Sequence, residues 1–424
     1  MLIDFSVSNY RSFREKQVFS MEAALYLRKK DNVINVPVKG DKSLSLLKVA
    51  AIYGPNASGK SNLCLALSLI GRLMKNNLES GEDSLPVTPF RFDIHLLGKP
   101  SQFEINFVTA GKKYRFELAL TSQRIISEVL SVFVKGKPQK LYARSFDGDK
   151  ESYEIEPLLE GGELLHDAWK NLTSPKLLFL SQAVNNSSEN LMQLRIPYAW
   201  LRANLTESPD KMQIFTKVLH LLHNEAPARQ IPKEIALFLS EIDIPVAEVK
   251  FNNNSKFSDL KRTLDKDDEN AAFERFLKNS DMLFRHKTML GEAEFSLDEE
   301  SEGTKNLTGF LLIWIALTMG AKLGVSAIFD ELDTSLHPKI IERLVAKLHS
   351  LKANSQLIFT THNTHLMDSK LMRRDQFWVA ERDNNGATRL ASIYDYEGRE
   401  GEDVEKRYYE GRYRGLPNLK VTAD

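Results

Sequence analysis

The eight residues Gly54-Pro55-Asn56-Ala57-Ser58-Gly59-Lys60-Ser61 fit the pattern G-x-x-x-x-G-K-[ST], and no other stretch constrains the fold as much. The glycines let backbone amides converge on a polyphosphate. The lysine can reach its β and γ oxygens, and the serine hydroxyl can ligate Mg²⁺. Such a loop works only between a buried strand and a helix. Residues 46–54, LLKVAAIYG, are an apolar run without alternation, as expected of a strand buried on both faces. Residues 61–74, SNLCLALSLIGRLM, follow with helical spacing. The chain is therefore expected to build an α/β sheet with a phosphate site at its carboxyl edge.

Two further strands end in candidate groups. VSAIFDELD (325–333) places Asp330 at a carboxyl edge, where it can hold Mg²⁺ through water, and Glu331 can orient and deprotonate an attacking water. QLIFTTHNTH (356–365) brings His362, in preference to His365, to the same edge for the γ-phosphate or the water. Ser301-Glu302-Gly303-Thr304-Lys305 opens a helix about 27 residues before the acidic pair. Ser301 reads as its N-cap, and exposed amides there suit an anion.

Around this body, residues 2–13 read as a strand and turn, and QFEINFV, YRFELAL and VLSVFV as an antiparallel meander. Residues 175–186 read as another buried strand leaving into a loop. MQIFTKVLHLLH and NAAFERFLKN are helical in pattern, and the stretch between them is polar. The helix FLLIWIALTMGAK follows residue 302, and the tail forms a hairpin over 377–393 around Asn384-Asn385-Gly386. The expected division is 1–186 for the first lobe of the α/β body with the glycine loop and the meander, 187–300 for a helical insertion lobe and 301–424 for the rest of the core. No repeat or sustained heptad series occurs. His220 and His223 lack cysteine or acidic companions at zinc spacing.

Composition sets the class. Hydrophobic residues at 42 % suffice for a core, and 57 basic against 57 acidic residues exclude a simple basic nucleic-acid binder. A lone cysteine, Cys64, no basic-then-apolar leader and no apolar run of the roughly 20 residues a membrane helix needs point to a cytosolic protein away from membranes.

In order along the chain, NYRSF, GPNASGKSN, SEGTK, AIFDELDTSLHP, FTTHNTH and the tail EKRYYEGRYRGLP resemble the ABC-type ATPases of the SMC, RecF and OLD (overcoming lysogenization defect) class. More closely, the chain resembles the short AAA-type ATP-binding proteins of prokaryotic phage-defence and abortive-infection modules. The resemblance implies an ABC/RecA-like P-loop nucleotide-binding domain with an antiparallel β subdomain and a helical insertion lobe, using ATP and Mg²⁺. It implies that Asn9, Arg11 and Ser12 approach the nucleotide and that Gly54 through Asn62 hold its phosphates. Lys60, Glu331 and His362 would then serve catalysis, Asp333 would lie in the D-loop, and Ser61, Asp330 and the Q-loop match Gln182 would serve the metal. Ser301 and Gly303 match the signature that binds the γ-phosphate of a nucleotide held by another subunit, although the motif departs from the transporter form LSGGQ. Homodimers or larger homo-oligomers built through the ATP sites follow from that.

Only about 60 residues follow His362, without the Glu…Asp-x-Asp cluster of the Toprim nuclease domain that OLD proteins carry. The resemblance thus implies a switch that controls a separate nuclease or toxin effector, triggered by DNA or a phage protein. A RecF/SMC-like DNA-repair clamp and a nucleotide-gated scaffold with little turnover are the alternatives.

Overall fold

The computed structural model describes residues 1–75, 84–204, 231–241, 244–251, 282–301, 304, 307, 325–333, 337–351, 354–367 and 370–416. The chain opens with β1 (Leu2–Ser8) and β2 (Gln17–Ser20), then a ribbon of β3 (Val33–Val36) and β4 (Leu44–Leu47). Strand β5 (Val49–Tyr53) leads through the glycine loop into α1 (Lys60–Met74). The meander comprises β6 (Ser101–Thr109), β7 (Lys112–Leu120), β8 (Ile125–Val134), β9 (Lys137–Phe146) and β10 (Glu151–Ile155). With β1 and β2 it makes a seven-stranded antiparallel sheet ordered β10-β9-β8-β7-β6-β1-β2. Alternation of buried residues along β7 (Tyr114, Phe116, Leu118, Leu120) shows why: one face of the sheet covers the core.

Helices α2 (Gly162–Leu172), α3 (Phe179–Asn185), α4 (Met192–Ala203) and α5 (Ile231–Glu241) precede a three-stranded antiparallel sheet of β11 (Val246–Phe251), β12 (Met282–Thr288) and β13 (Gly291–Ser296). The second half of the α/β body then supplies β14 (Ser326–Phe329), α6 (Pro338–Ser350), β15 (Gln356–Thr360), β16 (Phe377–Arg382), β17 (Thr388–Ser392) and α7 (Val404–Tyr409). Its sheet runs β14-β15-β5-β16-β17, parallel except for β17, which closes the expected hairpin with β16. Ala50 and Ile52 of β5 pack into one hydrophobic cluster with α1 and the seven-stranded sheet. Val49, Ala51 and Tyr53 pack into a second one with α6. A strand buried on both faces needs the non-alternating sequence seen at 49–53.

Two expectations are corrected. Residues 175–186 are not a strand: Phe179–Asn185 is helix α3. Its first amides, from Phe179 and Leu180, donate to the carboxylate of Glu128 on β8 at 2.7 and 2.9 Å, and Tyr142 donates to the same group. The helix cap thus comes from a fully buried residue some fifty positions away. The span 187–300 is also not uniformly helical, because β11, β12 and β13 form a sheet within it. Charged pairs hold that sheet on its exposed face: Arg285 bridges Glu248 and Glu292. The segments MQIFTKVLHLLH, NAAFERFLKN and FLLIWIALTMGAK, with His220 and His223, lie outside the described residues.

Candidate functional site

Strands β5, β14 and β15 are parallel neighbours, so Gly54, Asp330 and Thr361 leave the sheet at one edge. The loop after β5 turns at Gly54 with φ +148° and enters α1 through Gly59 with φ +102°. A Cβ on Gly54 would lie 2.2 Å from the Ala380 carbonyl oxygen, and one on Gly59 2.0 Å from Thr388 Oγ1. Both positions require glycine. Lys60 Nζ donates to the Gly54 and Pro55 carbonyls at 2.8 and 3.1 Å, so the ammonium is held inside the loop. Burial pulls its pKa below the ordinary lysine value, while the nearby Asp330, Glu331 and Asp333 carboxylates oppose that. Ser58 Oγ is buried with no hydrogen-bond partner.

The loop, from Asn56 through Asn62, lines a cavity of about 650 Å³. Arg11 and Ser12 join it from the turn after β1, and Thr88, Pro89, Arg91 and Phe92 from the segment before β6. Arg382 and Gly386 enter from the β16–β17 hairpin, and Glu331 from the end of β14. The lining thus has four cationic side chains, Arg11, Lys60, Arg91 and Arg382, against one carboxylate. None of the three guanidiniums is ion-paired with a described carboxylate. An excess of positive charge in a concave, partly desolvated site suits a polyphosphate. Phe92 is 72 % exposed at this cavity, set edge-on to Phe90 at 5.7 Å, with the Arg382 guanidinium 5.8 Å from its ring centre. An exposed ring beside guanidiniums is a platform for a planar base. The orphaned Ser58 hydroxyl, the glycine cradle and the cationic lining therefore fit a nucleoside triphosphate, and Ser61 with Asp330 supplies the oxygen donors Mg²⁺ prefers.

Behind Glu331 the structure is tightly bonded. Thr360 Oγ1, at the end of β15, donates to Asp330 Oδ1 at 2.6 Å and accepts from the Glu331 amide at 2.7 Å. Glu331 itself has φ +50°, a left-handed turn that directs the chain away from the strand. The His362 amide donates to Asp333 Oδ2 at 3.0 Å, which joins the segments after β14 and β15.

Of the candidate residues, Arg11, Ser12, Asn56 to Asn62 and Glu331 lie together along one cavity. Asn9 and Gln182 are not among its lining residues. Asn9 is buried: its amide donates to the carbonyls of Leu96, Lys99 and Pro100, and its oxygen accepts from the Phe90 amide. Its bonding capacity is used to hold the segment that carries Phe92, and it does not line the cavity. Gln182 lies inside α3, where its Oε1 accepts from Asn186, and it too is away from the cavity. Ser301 Oγ accepts from the Thr304 amide at 3.1 Å, the geometry of a helix N-cap, and lies outside this cavity; Gly303 lies outside the described residues.

Thr88, Arg91, Phe92, Thr360, Arg382 and Thr388 went unread in the sequence. Thr388 Oγ1 is 2.8 Å from both Ser12 Oγ and the Ser58 carbonyl, and Asn62 donates to Ser12 at 2.8 Å. The hairpin thereby ties the NYRSF turn to the glycine loop. The available signals were the alternation Phe90-Arg91-Phe92 and a polar threonine closing the otherwise apolar strand QLIFT.

The family model described as "AAA domain, putative AbiEii toxin, Type IV TA system" matches residues 49–368. No curated protein matches the chain in sequence. Among solved structures, an SMC head bound to the C-winged helix domain of ScpA is 14 % identical, with TM-score 0.44, covering 92 % of this chain and 97 % of that one. The SMC head domain from Thermotoga maritima is also 14 % identical, with TM-score 0.40, covering 92 % and 98 %. At that level the likenesses carry no argument about partners. The sheet order, glycine loop and acidic strand end make this a P-loop ATPase fold of the ABC type, and the chain belongs to the AAA domain family of the putative AbiEii toxin, Type IV TA system description.

Proposed function

We propose that the chain binds ATP with Mg²⁺ and hydrolyses it to ADP and phosphate, and that this cycle is a switch on a separate nuclease or toxin effector in antiphage defence. The observation that carries the reading is the cavity that Arg11, Lys60, Arg91 and Arg382 line together with Glu331 and the glycine loop. The loop amides and Lys60 hold the phosphates, and Phe92 with Arg382 holds the base. Ser61 and Asp330 are the residues that would hold Mg²⁺, which when bound would supply positive charge to offset that of the phosphates. Glu331 takes a proton from the attacking water as its oxygen bonds to the γ phosphorus, while the bond from that phosphorus to the β–γ bridging oxygen breaks and ADP leaves with the electron pair. Its amide bond to Thr360 fixes where the carboxylate starts from. His362 lies along the same edge and completes the oxygen's surroundings. The family description, with its toxin and antitoxin vocabulary, supports an effector partner.

Two further elements belong to the same proposal. The active unit is a homodimer or larger homo-oligomer in which Ser301 of one subunit meets the nucleotide of another, and the protein is cytoplasmic. Among the described residues no helix is long and apolar enough to cross a membrane.

Phosphate release by the full chain tests the catalytic half. Turnover in the wild type, abolished in Lys60→Ala, supports it. ATP binding without turnover would turn the reading into a nucleotide-gated scaffold, and turnover strictly dependent on added DNA would favour a repair clamp. The regulatory half is tested by co-expressing the product of an adjacent gene: an effector restrained by the wild type and released by Glu331→Gln supports the switch.

A further inference from the structure

The tail residues Glu405 to Leu416 take no part in the cavity, yet they are built against the segment that follows β15. That segment, Thr361 to His365, is polar and emerges at the sheet edge. It is held from two sides by elements already described: the His362 amide on Asp333, and the Asn363 carbonyl, which accepts from the Tyr53 hydroxyl at 3.3 Å. The third hold comes from α7. Thr364 Oγ1 donates its proton to Glu405 Oε1 at 2.7 Å and accepts from the Tyr409 hydroxyl at 2.9 Å, and His365 Nδ1 stands 3.6 Å from Glu405.

The tail is a firm support for these contacts. Val404, Tyr408 and Tyr413 are buried, Tyr408 donates to the Gly415 carbonyl at 2.7 Å, and Tyr413 stacks edge-on against Tyr396. Tyr408 also packs against Tyr53, the last residue before the glycine loop. Tyr409, by contrast, is 62 % exposed, so its bond to Thr364 contributes little to core burial. Fixing a loop residue by a hydroxyl, a carboxylate and a buried backing is what positioning requires.

We propose that the tail segment 404–416 is a clamp on the His362 segment, with Glu405 and Tyr409 acting through Thr364 as positioning residues for ATP turnover. The clamp rests on the reading of this edge as an ATPase centre. Its effect is on the chemical step, since the segment lies outside the cavity that receives the nucleotide.

The test uses the full chain and measures two quantities: the Kd for ATP in chelator, where turnover is blocked, and kcat with KM in Mg²⁺. Thr364→Val keeps the volume and removes the hydroxyl. It is expected to lower kcat about tenfold or more, with Kd and KM within about twofold. Glu405→Ala should do the same, and Thr364→Val/Glu405→Ala should lose no more than the worse single variant, because both act through one link. Thr364→Ser and Glu405→Gln, which keep donor and acceptor, should regain most of kcat. An unchanged kcat in Thr364→Val overturns the clamp, and so does an equal loss in Thr364→Ser. A parallel rise in Kd would make the tail a general support of the fold and overturn it as well. Failure of the wild type to bind ATP instead removes the nucleotide reading itself. Binding without turnover leaves that reading as a scaffold and overturns the clamp.

Discussion

Thr360, the last residue of β15, and Asp330, just past the parallel strand β14, are joined by a 2.6 Å hydrogen bond in which the threonine hydroxyl donates to the carboxylate. The same oxygen accepts from the Glu331 amide, so one buried hydroxyl orients both members of the acidic pair. Thr360→Val is close in volume and cannot do either. It leaves the amide of Glu331 and an oxygen of Asp330 without this partner, and each part-buried bond lost costs about 1 kcal/mol. The expected outcome is a kcat lowered about tenfold to a hundredfold with little change in ATP affinity, and Thr360→Ser near wild type. Steady-state kinetics beside equilibrium binding decide it.

Lys60 and Glu331 should separate binding from chemistry. Lys60→Ala removes the ammonium held inside the loop, and the Kd for ATP should rise steeply. Glu331→Gln keeps shape but loses the base, so ATP should stay bound while turnover falls about 10²–10⁴-fold. Normal turnover in Glu331→Gln would remove that carboxylate from the mechanism.

Phe92 offers a test of the base platform. Because the ring is 72 % exposed, Phe92→Ala costs little folding energy. Losing a stacked aromatic is worth about 1–3 kcal/mol by analogy with single-stranded base stacking, so KM for ATP should rise about five- to hundredfold while kcat holds. Inorganic triphosphate, which has no base, should bind the variant and the wild type equally.

How far the sequence discloses this site depends on how local each signal is. The glycine loop, β5 and the acidic end of β14 are legible because each is written within ten residues. Helix α3 is not, since its N-terminal amides are capped by Glu128 from a distant strand while residues 175–178 carry no effective side-chain cap. Asn9 is misleading for the opposite reason. Its motif is local, but its amide is consumed by carbonyls of residues 96, 99 and 100 that no short pattern can foresee. Arg382 and Phe92 meet only because the β16–β17 hairpin folds over the segment before β6, as the close approach of Gly386 to both shows.

His349 makes a prediction about acid stability. It is buried at the end of α6, its Nε2 accepts from the Gln376 amide at 3.1 Å, and burial pushes its pKa down to about 3 from 6.5. The unfolded chain therefore takes up a proton below about pH 6.5 that the folded chain refuses until about pH 3. Stability contributed by the neutral imidazole is fully present above pH 6.5 and falls through that window, by at most about 1.4 kcal/mol per pH unit. His349→Gln, which can still accept from Gln376, should unfold with a shallower pH slope between those values in denaturant titrations. Parallel slopes would show that His349 ionises freely.

The dimer proposal makes the sharpest demand. Ser301 lies outside the cavity of its own subunit, and its Oγ accepts from the Thr304 amide as an N-cap does. If the γ-phosphate is completed by another subunit, two inactive proteins should rescue one another. In a mixed dimer of Lys60→Ala and Ser301→Arg, head-to-tail symmetry puts both lesions in one composite site and leaves the other intact. Random mixing gives half the dimers as heterodimers, so the pooled sample should recover about a quarter of wild-type turnover, each heterodimer having one working site of two. Light scattering with ATP and Glu331→Gln should show the same association, because nucleotide that bridges two subunits must stabilise the pair. Mixed dimers that form without recovering activity would place catalysis within a single subunit.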